Sequence, residues 1–201
     1  KLLSASTNFG IKLLRIDLQG EPPITEDEIR IYLDQGVDVG VIEQAESEMF
    51  SGVFRLGDRR VDALMTPRTE LVWIDLEDDP KTIIEEITQS EYSRIPVARG
   101  DLDYIVGILD IKDLVGVDLY SPDFHLEDYL KEPLFIPENL PALKAFERFR
   151  STGIHQALVI DEYGGVQGMV TLYDVLEAIV GEIPLEPEDR DYEIVQRADG
   201  S

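Results

Sequence analysis

Gly168-Met169-Val170-Thr171-Leu172-Tyr173-Asp174-Val175-Leu176-Glu177-Ala178-Ile179-Val180 reads as a buried strand that turns directly into a helix, with polar groups at the turn. Met169 and Val170 close an apolar run, Thr171 is a good helix N-cap, and Val175, Leu176 and Ile179 recur at helical spacing until Gly181 offers a stop. A helix start presents unpaired backbone N–H groups and the positive end of its dipole, so this turn suits a phosphate or a ribose oxygen. The same residues also carry a purely structural meaning. Thr171-x-x-Asp174 is a capping box, in which each side chain bonds the other residue's backbone.

A second copy of the pattern weighs against the purely structural meaning. Gly107-Ile108-Leu109-Asp110-Ile111-Lys112-Asp113-Leu114-Val115 stands sixty-one positions earlier, with the same glycine, apolar pair, polar turn and aspartate three residues on. Upstream, Ser93-Arg94-Ile95-Pro96-Val97 corresponds to His155-Gln156-Ala157-Leu158-Val159, and a helix over 81–90 corresponds to one over 142–151. Each unit reads strand, helix, strand, turn, strand, helix over roughly 55 residues, too few for a comfortable core of its own, so two units are expected to pack together.

This repeat resembles a tandem pair of CBS domains, a Bateman module. Leu64-Met65-Thr66-Pro67-Arg68, Ser93-Arg94-Ile95-Pro96-Val97, Asp161-Glu162-Tyr163-Gly164-Gly165 and Val170-Thr171-Leu172-Tyr173-Asp174 look like the CorC/HlyC type, whose members are membrane proteins linked to magnesium and cobalt efflux and related to the cyclin-M transporters. The resemblance implies a mixed α+β fold of two β-α-β-β-α repeats packed as a pseudo-twofold pair and preceded by a helical connector. Labels in this family that mention haemolysin find no support, since nothing in these residues reads as membrane-lytic.

Composition narrows the function classes. A net charge of −24 over 201 residues argues against a nucleic-acid or anionic-membrane partner. With no cysteine there is neither disulfide nor thiol chemistry, which fits a cytosolic domain. No apolar run approaches the roughly 20 residues of a membrane-spanning helix. The chain starts at Lys1 and closes on Tyr192-Glu193-Ile194-Val195, a strand that stops at its turn, so an excised fragment is expected. The resemblance implies a membrane domain before it and a small carboxy-terminal domain after it.

The expected organisation is a linker over 1–24, an acidic helical connector over 25–60, a first repeat over 61–117, a linker over 118–127, a second repeat over 128–183, and an acidic linker with a truncated domain start over 184–201. In the connector, Thr25-Glu26-Asp27-Glu28 opens a helix ending near Gly36, and a second helix over 41–55 places Ile42, Ala45, Met49 and Val53 on one face. The pair reads either as a transmitter of movement or as a linker that packs on the core. In the repeats, Leu71–Ile74 is a buried strand, Asp79-Pro80 starts a helix, a second helix runs from Ile111, and Leu143, Phe146 and Phe149 line another that Gly153 caps.

No catalytic constellation is visible. The two histidines, His125 and His155, have no H-x-x-x-H spacing, there is no G-x-x-x-x-G-K-[ST] loop, and a metal site built by the protein is not expected. The resemblance implies a binding module that takes AMP or ATP between its repeats. Carried over by position, Asp174 accepts from the ribose hydroxyls and Thr171 faces the ribose or phosphate. Thr66, Leu71 and the segment Tyr92-Ser93-Arg94-Ile95-Pro96 form the adenine pocket, and Arg94 and Arg68 partner the phosphates. Each also has an ordinary structural meaning as a turn former, core residue or solvated charge.

The symmetric cleft departs from the pattern, because Asp110 replaces Thr171 and sets a carboxylate near the phosphates of anything held by Asp113, His155 and Ala157. That cleft is expected to be empty or weak. Mg2+ is expected to enter bridged to a triphosphate. The resemblance further implies a homodimer, using the helix faces around 111–115 and 175–179. A structural dimerisation module with an empty cleft, and more remotely a nucleotide hydrolase, are the alternatives.

Overall fold

The computed structural model describes residues 24–181, so the expected linker at 1–24, save its last residue, and the expected acidic linker with truncated domain start at 184–201 lie outside the described residues. The chain divides into two units, residues 1–47 and 48–201. In the first, helix α1 spans Glu26–Asp38, and Thr25 and Glu28 exchange both capping-box bonds, at 3.3 and 3.1 Å. It runs one half-turn past Gly36, because the left-handed residue that ends it is Gly40.

Helix α2 spans Gln44–Asp58, three residues later at both ends than the sequence reading. Its expected inner face is also corrected. Met49 and Val53 are 46% and 49% exposed, whereas Gly52 and Leu56 are buried. The cause lies at Gly52, where a Cβ would fall on the carbonyl oxygen of Ile179, so a bare backbone is what allows this face to approach.

The second unit is built from the two repeats. The first supplies β1 (Thr66–Pro67), β2 (Ile74–Asp75), α3 (Pro80–Gln89), β3 (Arg94–Arg99) and β4 (Asp101–Asp110); the second supplies β5 (Leu130–Lys131), β6 (Phe135–Pro137), α4 (Ala142–Thr152), β7 (Gln156–Ile160), β8 (Val166–Thr171) and α5 (Leu172–Val180). The local signals act as expected at α3, where Asp79 caps and Pro80 occupies the first position, and at α4, which ends on left-handed Gly153.

Two four-stranded sheets form, in the orders β2-β3-β4-β5 and β6-β7-β8-β1. The repeats therefore exchange their first strands. β1 leaves its own repeat to pair antiparallel with β8, Thr66 opposite Met169, and β5 pairs antiparallel with β4, Lys131 opposite Ile108. The glycine shared by the repeats makes this exchange possible. A Cβ on Gly168 would fall on the Thr66 carbonyl oxygen, and one on Gly107 would stand 2.7 Å from the Leu130 Cβ.

Three apolar clusters fill the unit. One packs Phe149, Ala142 and Ala145 of α4 and Val175 of α5 on Ile136, Ala157, Val159 and Val170, with Leu56 and Val61 closing it. A second holds Ile83 and Ile87 of α3 against Ile74, Ile95, Val97 and Leu109. The third joins the sheets through Ile108, Leu158 and Val166, with Leu71 and Met169 beside them.

Three expectations are corrected. The buried strand at Leu71–Ile74 shrinks to Ile74–Asp75, and Val72 is about half exposed. Of the residues expected to line α4, Phe149 is buried and Phe146 packs against the core, but Leu143 faces outward and Ala142 and Ala145 are buried in its place. The helix from Ile111 is a four-residue 3-10 turn, Ile111–Leu114. Its counterpart α5 continues through Leu176, Glu177 and Ala178, good helix formers, whereas the first repeat meets β-branched Val115 and then Gly116 at φ +85°. Among the described residues no helix is long and apolar enough to cross a membrane.

Candidate functional site

The turn that opens α5 is built by a short segment. Thr171 Oγ1 accepts from the Asp174 backbone N–H at 3.2 Å, while Asp174 Oδ2 accepts from the Thr171 N–H at 2.7 Å and its hydroxyl at 2.9 Å. The helix start is tied to β7 by the Leu172 N–H, which donates to the His155 carbonyl at 2.8 Å. Burial pushes the Asp174 carboxyl up from its ordinary value, Thr171 works against that through its backbone and side-chain bonds, and Glu177 adds to it. Among the described residues no cation pairs with it.

Of the expected site residues, Thr66 and Leu71 share the environment of this turn's strand. Thr66 lies opposite Met169, two residues before Thr171, and Leu71 packs in the cluster that contains Met169. The segment 92–96 divides. Tyr92 and Ile95 line an open hollow of about 300 Å³ with Trp73 and Glu86, Ser93 accepts from the Ile111 N–H at 2.9 Å, and Pro96 pairs opposite Ile108.

The two arginines are engaged elsewhere. Arg68 stands at the Val166 end of β8, away from Thr171. It binds Asp103 at 2.5 Å, Asp101 at 2.6 Å and the Val166 carbonyl at 2.8 Å, while Asp103 also accepts from the Val166 N–H at 3.0 Å. This clip joins the start of β4 in one repeat to the start of β8 in the other. The Arg68 hydrogen bond holds the Asp103 carboxyl below the usual range. We expect Arg68→Ala to lower the thermal midpoint by a few degrees, Arg68→Lys to restore it only in part because an ammonium cannot fork two carboxylates, and neither to change ligand affinity more than about twofold. Thermal melts with a binding titration check all three.

Arg94 belongs to the symmetric cleft, a cavity of about 250 Å³ whose lining includes Arg94, Asp110, Lys131, His155 and Gln156. Arg94 Nε donates to Asp110 at 3.1 Å, and Lys131 Nζ lies 2.6 Å from Asp113 and 3.6 Å from Asp110. Burial of Asp110 opposes its charge, yet Arg94, the Lys112 N–H and Lys131 together hold its carboxyl below the ordinary value. Ala157 does not line this cavity; it is buried in the core cluster beside α5.

Two polar residues here escaped the sequence reading. Lys131 is the structural counterpart of Thr66, each sitting on an exchanged strand, but four fewer residues separate it from the next strand, and that offset hides the match. Gln156 is the counterpart of Arg94. It is 8% exposed and its Nε2 has no hydrogen-bond partner among the described residues. A polar residue at the start of an otherwise apolar strand was the available signal. Among the described residues no group of acidic or histidine side chains is arranged to hold a metal.

A family model described as the CBS domain matches residues 61–120 and again 126–181. Two such segments, with reciprocal strand exchange, are what the fold contains, and the chain belongs to the CBS-domain family as a tandem pair of the CorC/HlyC type. It is 46% identical over 200 residues to a UPF0053 protein of Synechocystis, covering 100% of this chain and 45% of that protein. It is 36% identical over 165 residues to Hemolysin C of Brachyspira hyodysenteriae, covering 82% and 61%. The chain thus spans about half the length of these relatives.

Among solved structures, the CBS domain of a bacterial CNNM/CorC family Mg2+ transporter matches with TM-score 0.70 and 34% identity, over 81% of this chain and 99% of that one. A complex of such a domain with ATP matches with TM-score 0.60 and 38% identity, over 69% and 99%. A CBS-domain pair from Klebsiella pneumoniae with bound AMP matches with TM-score 0.57 and 34% identity, over 61% and 98%.

Proposed function

We propose that this pair is the adenine-nucleotide sensor of a membrane magnesium or cobalt efflux protein, lying on its cytoplasmic side and working as a homodimer. The observation that carries this reading is Asp174, a half-buried carboxylate with a raised pKa and no cation partner among the described residues, held at the start of a nine-residue helix. A carboxylate placed in this way accepts two ribose hydroxyls without an ion pair to break. Thr171 faces the ribose or phosphate, Thr66 and Leu71 border the base, and Tyr92 and Ile95 close over it. The bound ATP and AMP of the similar structures support the ligand class.

Phosphates in this site are met by the positive end of the α5 dipole and by Mg2+ bridging their oxygens, since Arg68 and Arg94 are both engaged with carboxylates. Binding shifts the population between two arrangements of the dimer. The test is calorimetric titration of the protein with ATP and AMP, with and without Mg2+. One nucleotide per chain, with ATP weakened when Mg2+ is chelated, is the expected result. No heat from a folded protein returns the pair to a structural dimerisation module, and ATP affinity indifferent to chelation removes the metal from the signal.

A further inference from the structure

We infer that the second cleft is closed to nucleotides by its own side chains, with Lys131 as the residue that decides it. The inference rests on the nucleotide reading above and concerns the sister cleft.

The two clefts are related position by position. Thr171, Asp174 and Thr66 in one correspond to Asp110, Asp113 and Lys131 in the other, where Arg94 completes a set of four and its repeat counterpart Gln156 lines the same second cavity. In the first, Asp174 has no cation partner among the described residues. In the second, every one of the four positions carries a charge, and the charges are paired with one another. Lys131 Nζ sits 2.6 Å from Asp113, on the carboxylate that matches Asp174, and Arg94 holds Asp110 at 3.1 Å. A ribose seeking Asp113 must displace an ammonium already bound there.

Two further features act the same way. Asp110, kept ionised by its partners, sets a negative charge beside the place a phosphate would take. The 3-10 turn after it has four residues, against nine in α5, so few peptide dipoles align behind it.

Substituting the residues of the binding cleft tests this directly. Asp110→Thr with Lys131→Thr frees Asp113 for a ribose and frees Arg94 for a phosphate. AMP stoichiometry by calorimetry is then expected to rise from one to two per chain, the new site being about tenfold weaker for want of a helix. In an Asp174→Ala background the wild-type second cleft binds no AMP and the double substitution restores one site. Lys131→Thr alone, which leaves the Arg94–Asp110 pair in place, is expected to give a partial gain, and thermal melts establish that each variant is folded.

Two AMP per wild-type chain, or a folded double variant that stays at one, overturns the inference and leaves the nucleotide reading intact. Absence of AMP binding by the wild-type chain overturns the nucleotide reading, and the inference with it.

Discussion

Gly168→Val is expected to lower the thermal midpoint by roughly 6–12 °C, or about 3 kcal/mol at two to four degrees for each. The side chain has nowhere to go. Its Cβ would fall on the Thr66 carbonyl oxygen, and the Met65 sulfur lies 3.0 Å from the same point, so relief requires β1 to move off β8. Backbone cannot rotate away as a flexible side chain can. Because β1 also carries Thr66, the variant is expected to lose nucleotide affinity along with stability. Gly57→Ala, near the end of α2 with open space around the added carbon, is the control and leaves the midpoint unchanged or slightly raised. Far-ultraviolet melts of the two variants decide the matter, and an unchanged midpoint for Gly168→Val would mean that β1 does not pair with β8.

Asp174→Ala is expected to weaken ATP and AMP by at least about 100-fold, the equivalent of two hydrogen bonds to a charged acceptor. Asp174→Asn separates that effect from folding. The amide oxygen still accepts the Thr171 N–H, so the cap survives, but a carboxamide is a poorer acceptor for two hydroxyls. The pH dependence fixes the sign of the stability change. Burial raises the Asp174 pKa above its unfolded value, so the folded state binds this proton more tightly and the ionised carboxylate is a liability at neutral pH. That liability is relieved as pH falls through the folded value. The ligand-free Asn variant is therefore expected to melt higher than wild type at pH 7, with the difference vanishing below about pH 4. A lower midpoint for Asp174→Asn at neutral pH would show that the charge stabilises the helix start more than burial costs.

Asp103 behaves in the opposite sense. Its pKa is depressed by Arg68, so the clip contributes above the ordinary carboxylate range and is lost as pH falls through the folded value. Acidification thus relieves the buried charge at α5 while loosening the ionic clip between β4 and β8.

How much of this was legible depends on the reach of each interaction. The Thr171–Asp174 box and the Thr25–Glu28 box were readable because donor and acceptor lie three residues apart. So were the α3 and α4 boundaries, set by Asp79, Pro80 and Gly153. The helix after Asp110 was misread from a shared opening, because its length is decided by Val115 and Gly116 beyond the matched wording. The inner face of α2 was misread because apolar periodicity favours Met49 and Val53, while the true contact is the backbone of Gly52, a residue without a side chain to count. Strand exchange was invisible for a different reason. The partners of Thr66 and Lys131 lie in the other repeat, and no local pattern specifies them. Hence Lys131 escaped notice, as did the carboxylates that pair with Arg68 and Arg94, which lie far along the sequence.

The exchange of first strands also sets an order of assembly during synthesis. The sheet that begins with β2 closes once Lys131 has emerged, but β1, made before it, waits for Met169. For some hundred residues of translation Thr66 has no neighbour to pair with, and the contact order of the pair is correspondingly high. Neither repeat completes its own sheet, so a ribosome stalled within the second repeat exposes the apolar face that β8 and α5 were to cover.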